Sequence, residues 1–205
     1  MKLKLRLDDL PIVLSEAIAT ANKILEDSTA VGQVFVHLAR EFCDNEEEQA
    51  AVVIEENGVG EALVQPDREV ILSRVVPKRR ETYTMCANCL ENRIIINQLE
   101  LPALEQVLDD DALEAKYFIF LLVALLHECS HLFTPLLNEL TRNYHSTQEA
   151  LKFETPQKVG RATFDGATDN DAGVGLEMTL FGGILFFDDE QLTVTDVTDP
   201  NIELV

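Results

Sequence analysis

Tyr117-Phe118-Ile119-Phe120-Leu121-Leu122-Val123-Ala124-Leu125-Leu126 runs without a polar break into His127-Glu128-Cys129-Ser130-His131. A segment apolar on all sides is a buried helix, or a membrane helix if it is long enough. A bilayer core needs about 20 such residues, so this stretch predicts a core helix. Histidines at i and i+4 lie on one face of that helix, about one turn apart. Glu128 sits roughly 100° around the helix from His127. Ionisable groups buried without partners are costly, and a cation shared by both imidazoles would account for them. Asp110 or Asp111 is the predicted start, because carboxylates suit the positive end of a helix dipole. Pro135 would clash with the carbonyl of His131, so the helix is predicted to stop near Phe133 or Thr134.

His127, Glu128 and His131 form an HExxH motif, in which two histidines hold Zn²⁺ and the glutamate serves as general base. A catalytic zinc needs a third protein ligand and an open position. The metzincin extension would require Gly at 134 and His at 137, where this chain has Thr134 and Leu137. The stretch from Asp169 to Gly183 supplies the candidate. Asp169, Asn170 and Asp171 are potential helix N-caps, Leu176, Leu180 and Phe181 form an apolar stripe, and Gly182-Gly183 is a stop signal. Glu177 then falls mid-helix among apolar neighbours, where an unpaired carboxylate is unexpected. Gly173, one turn earlier on the same face, would let this helix approach the HExxH helix closely.

The chain resembles the gluzincin branch of the zincin metallopeptidases through His127, Glu128, His131 and, forty-six residues on, Glu177. It is also similar to uncharacterised fungal zincin-like proteins with a G-[ED]-[SA]-G-x-x-[LF]-E-x-x-[LIF]-F-G-G element after HExxH. Here that element is Asn170 to Gly183, with Asn170 departing from the first glycine. The resemblance covers residues 94 to 188 at most. It implies a peptidase-like site with His127, His131 and Glu177 as zinc ligands and Glu128 as base.

Asp165, Asp169 and Asp171 compete with Glu177 for the third position. An aspartate ligand would move the site toward the aspzincin type, of which Gly166-Ala167-Thr168-Asp169 is a poor version. Asp171 is read as a helix cap or as an acceptor for a ligating histidine's second N–H. Tyr144, His145 and Arg161 are candidate donors to an oxyanion. The bland alternatives are ordinary helix histidines capping a core and an amphipathic helix with Glu177 on its wet side.

The remaining sequence bounds these readings. At 205 residues and 46% hydrophobic, the chain can bury one substantial core. It is expected to be a single domain, residues 1–90 forming an N-terminal region and 91–188 the metal-site region. No repeat, coiled coil or low-complexity segment is evident. The net charge of −21 repels nucleic-acid phosphates and anionic lipids and would draw basic peptides or proteins inward. Glu46-Glu47-Glu48 and Asp109-Asp110-Asp111 read as solvated faces or helix starts, and Lys78-Arg79-Arg80 as a turn after Pro77. MKLKLRLDDLPIVL lacks the apolar core and cleavage site of a signal peptide, so a cytoplasmic or nuclear location is expected. Cys86-Ala87-Asn88-Cys89 has no second CxxC, and reduced thiols are expected there and at Cys43 and Cys129.

Helices are predicted over Ile12–Leu25, with Ser15 as a potential cap, and over Val31–Phe42, where His37 is read as a packed helix residue. Residues 50–65 read as a hairpin about Asn57-Gly58 or as a helix end. Strands are predicted at Val70–Val76, Arg93–Asn97, Ile184–Phe187 and Leu192–Val197. The fold class is α+β, helix-rich and zincin-like, with a small mixed sheet and the HExxH helix. Three functions remain: a zinc-dependent peptidase, a non-proteolytic zinc-binding protein of zincin fold, and an acidic interaction protein with a coincidental HExxH.

Overall fold

The computed structural model describes residues 2–5, 10–27, 35, 38, 69–75, 85–98, 101, 104, 110–140, 161–164, 167–187 and 192–195. Their order is β1 (Lys2–Leu5), α1 (Ile12–Glu26), β2 (Glu69–Val75), β3 (Met85–Asn88), β4 (Arg93–Asn97), α2 (Asp111–Leu140), β5 (Arg161–Phe164), β6 (Ala167–Asn170), α3 (Ala172–Phe181), β7 (Ile184–Phe187) and β8 (Leu192–Thr195). The arrangement is α+β, with three helices among the described residues. The sequence readings of residues 50–65, Glu46-Glu47-Glu48, Lys78-Arg79-Arg80, His37, Cys43, Tyr144, His145 and Asp165 lie outside the described residues.

Alternation explains the sheet. Its strand order is β1-β2-β4-β3, with β1, β2 and β4 parallel and β3 antiparallel to β4. The registers Leu3↔Val70, Leu72↔Ile94 and Met85↔Ile96 place six buried apolar residues on one face. Helices α1 and α2 pack together and share one core cluster with that face. In α1, Val13, Leu14, Ala17, Ile18, Ala21 and Leu25 recur at helical spacing and are buried. Asn22 on the same helix accepts from Leu3 N at 2.6 Å and donates to Leu3 O at 3.1 Å. Its amide thereby occupies backbone groups of β1, a strand at the sheet edge. Ser15 is not the cap expected of it: α1 begins at Ile12 after Pro11, and Ser15 N bonds to Pro11 O within the helix.

Strands β1, β3, β5 and β6 are additions to the predicted set. A tight turn over Cys89-Leu90-Glu91-Asn92 joins β3 to β4. Asn92 has φ 49°, a left-handed conformation that asparagine tolerates better than most residues. Its side chain donates to Glu69 O, and its carbonyl accepts from Ile71 N at 3.1 Å. The turn is thus fastened to β2.

Asp110 caps α2, its Oδ1 accepting from Ala112 N and Leu113 N at 3.0 and 3.1 Å. That is the predicted start. The predicted stop is overturned, since α2 passes through Pro135 and ends at Leu140. Two effects offset the missing proline N–H. Leu137 and Asn138 are buried beyond it, and the orphaned carbonyl of His131 accepts a hydrogen bond from the Cys89 thiol at 3.3 Å. Phe133 is fully buried and meets the ring of Phe35 edge-on, with centroids 4.7 Å apart. By length and composition α2 could cross a membrane, and half of its apolar stretch is buried inside the fold.

Candidate metal centre

Helix α3 starts where the sequence offers caps. Asp171 is the N-cap, in extended conformation, and its Oδ1 accepts from Val174 N at 2.8 Å. Gly182 ends the helix at φ 73°, the left-handed conformation that glycine adopts without strain. Between them α3 lies against α2. A Cβ on Gly173 would stand 2.2 Å from ring atoms of His127. Only glycine fits this crossing without displacement, as the close approach inferred from sequence requires.

The crossing brings three donors together. The rings of His127 and His131 are 5.2 Å apart between centroids. Asp171 Oδ1 is 3.5 Å from His127 Nε2, and Asp171 Oδ2 is 3.4 Å from His131 Nε2. One ligand atom from each residue lies within 4.8 Å of the others. Donors each 2.0–2.1 Å from a tetrahedral ion stand roughly 3.3–3.4 Å apart. The two imidazole–carboxylate separations, one to each Asp171 oxygen, lie near that edge length, and His127, His131 and Asp171 could hold a metal ion.

Glu177 reaches the same place from behind. It is 5% exposed, its Oε1 is 2.6 Å from His127 Nδ1, and its Oε2 accepts from Leu185 N at 2.6 Å. The wet-side alternative for this residue is therefore excluded. Glu128 points to the sheet, where its Oε2 accepts from Ala87 N at 2.7 Å. No protein-family model matches the chain, and no curated protein or solved structure is significantly similar to it. What the structure adds to the motif is the His127/His131/Asp171 cluster, which could bind a metal, on an α+β framework.

Electrostatics follow from this crowding of carboxylates. Burial alone would lower the His127 pKa, but the hydrogen bond to Glu177 and the charges of Asp171 and Glu128 outweigh it. The imidazole is raised from 6.5 to about 9. Burial likewise works against the Asp171 carboxylate, yet the bond and charge of His131, the charge of His127 and the Val174 N–H hold it well below the usual carboxylate range. Burial, helped by the Glu128 charge, pushes the Cys129 thiol far up, so it stays protonated and is a poor ligand.

Among the described residues the CxxC spacing gathers no second metal-ligating cluster and no disulfide joins Cys86, Cys89 or Cys129; Cys86 is exposed, and the Cys89 thiol donates to His131 O on α2. Arg161 and Asp169 lie in β5 and β6, where the side chains are outside the described residues. Two contributors had no signal in the sequence. Ala87 acts through its backbone N–H, and Cys89 acts across 42 positions on a carbonyl.

Proposed function

We propose that the protein is a zinc-dependent peptidase in which His127, His131 and Asp171 hold the ion and Glu128 is the general base. The observation that carries this reading is the convergence of Asp171, from a separate helix, on the Nε2 atoms of both HExxH histidines. A coincidental motif gives no reason for a carboxylate from another helix to meet that pair. Two imidazoles, that of His127 giving up its Nε2 proton to the ion, and one carboxylate are a donor set suited to a catalytic zinc with an open position.

When bound, zinc supplies a Lewis acid that acidifies water and polarises a carbonyl. The chain's own residues do the rest. Glu128 takes a proton from the attacking water and delivers it to the leaving amine. The Ala87 N–H fixes Oε2 of that carboxylate against β3, and Oε1 carries the proton. Glu177 accepts from His127 Nδ1–H, which would leave Nε2 free to hold the ion. The fold is read as zincin-like, with β3 at the sheet edge beside the base. Peptides or proteins are the substrates, basic ones being drawn by the net charge of −21.

Metal analysis and a peptide-library digestion test the reading together. The parent chain should carry one zinc, and His127→Ala should carry none. Glu128→Gln should keep the metal and lose cleavage by about 10²–10⁴-fold. Cleavage by Glu128→Gln at the parent rate would remove the base assignment. A zinc-loaded parent that cuts nothing would instead favour a non-proteolytic zinc protein.

A further inference from the structure

Pro135 deprives α2 of the one N–H that would bond to the carbonyl of His131, four residues back. Helices commonly kink at such a gap. Here the turn after β3 brings Cys89 to the gap, and its thiol donates to His131 O at 3.3 Å. Two residues earlier, Ala87 N donates to Glu128 Oε2 at 2.7 Å. One strand end therefore holds two points of the HExxH turn: the side chain of Glu128 and the backbone of His131. Neighbouring carbonyls are braced locally, with Ser130 Oγ on Leu126 O and Thr134 Oγ1 on Ser130 O, both at 3.1 Å.

We propose that Cys89 is a positioning residue of the metal centre, its thiol standing in for the missing amide of Pro135 and fixing the helical turn that aims His131 at Asp171. The inference rests on the reading of His127, His131 and Asp171 as a metal site. The chemistry sets its size. A thiol is a weak donor, but an unmade bond leaves a part-buried carbonyl without a partner. That carbonyl belongs to a residue whose Nε2 must stay 3.4 Å from Asp171 Oδ2. A small opening of the turn at Pro135 would carry the imidazole away from that carboxylate.

A double-mutant cycle in the 205-residue chain separates this role from simple packing. Cys89→Val fills the space without a donor and should weaken zinc binding by about tenfold, the low end for outer-sphere partners. Cys89→Ser keeps a donor and should bind within about twofold of the parent. Pro135→Ala restores an N–H to the His131 carbonyl. In that background Cys89→Val should cost less than about twofold, because the lost bond has been replaced. Zinc affinity is read by competition with a chromophoric chelator, and denaturant unfolding of the same four metal-free chains gives the cycle without metal. Equal losses for Cys89→Val in both backgrounds, or no loss in either, would overturn the proposal. A parent that binds no zinc overturns the metal reading and the positioning role with it. A metal-free cycle without coupling, in a chain that does bind zinc, overturns the thiol bond alone.

Discussion

The two helices that meet at the candidate metal centre are held by different forces. Helix α2 is thirty residues long and is fixed by burial: Leu121, Leu125, Cys129, Phe133 and Leu137 are almost wholly inaccessible. Helix α3 has ten residues and ends in exposed Leu180 and Phe181. It buries Ala172 to Leu176 and the Glu177 carboxylate, while the Asp171 cap is half-buried, and both carboxylates meet histidines of α2. The long helix would stand without the site. The short one is aimed by the polar contacts it makes there. In such a design two donors are set by the core and the third arrives with a separately stabilised element.

Substitutions on the two helices should therefore separate stability from metal binding. Phe133→Ala empties a fully buried position and should destabilise the chain by about 3–5 kcal/mol in denaturant unfolding, with or without metal. Gly173→Ala drives a methyl group into the His127 ring and should cost about 1–3 kcal/mol, with weaker zinc binding in the same samples. A chain as stable as the parent would mean that α3 does not cross α2 at this point.

The two carboxylates of α3 should differ in kind. Asp171→Asn should abolish stoichiometric zinc binding, whereas Glu177→Gln should weaken it by about tenfold. The reverse ranking by chelator competition would make Glu177 the ligand and Asp171 the helix cap with an outer role. A separate effect is on pH dependence without metal. The His127 pKa is raised from 6.5 to about 9, so its contribution is fully present below about pH 6.5 and is lost as pH rises through about 9. Chelator-treated protein should lose stability over that interval, and His127→Gln should flatten the profile. The lowered pKa of Asp171 acts in the opposite direction: its contribution is present above the usual carboxylate range and fades on acidification.

Much of α2 was legible because its signals are local: an apolar run, a cap at Asp110 and two histidines one turn apart. The same holds for α3, where Asp171 and Gly182 bound an apolar stretch and Gly173 announces a close approach. Pro135 misled because the group that satisfies the freed carbonyl belongs to Cys89, on another element. Strand β3 was hidden because Met85-Cys86-Ala87-Asn88 has no β-branched residue, and pairing with Ile94 and Ile96 makes it a strand. Which carboxylate faces the Nε2 pair depends on how α3 crosses α2. The sequence reading favours Glu177 as third ligand and Asp171 as cap or outer acceptor, whereas the structure sets Asp171 opposite both Nε2 atoms and Glu177 on Nδ1 of His127.

The Glu177 carboxylate is a shared anchor, taking the His127 imidazole on one oxygen and the Leu185 amide, at the root of the β7–β8 hairpin, on the other. A ring rotation at His127 removes one tether and leaves the second to hold the group alone. Deuterium uptake at the Leu185 amide thus becomes a local gauge of the histidine's orientation, readable without substrate. Strain applied to the hairpin would travel the same route backwards, through a single side chain, into the candidate metal site.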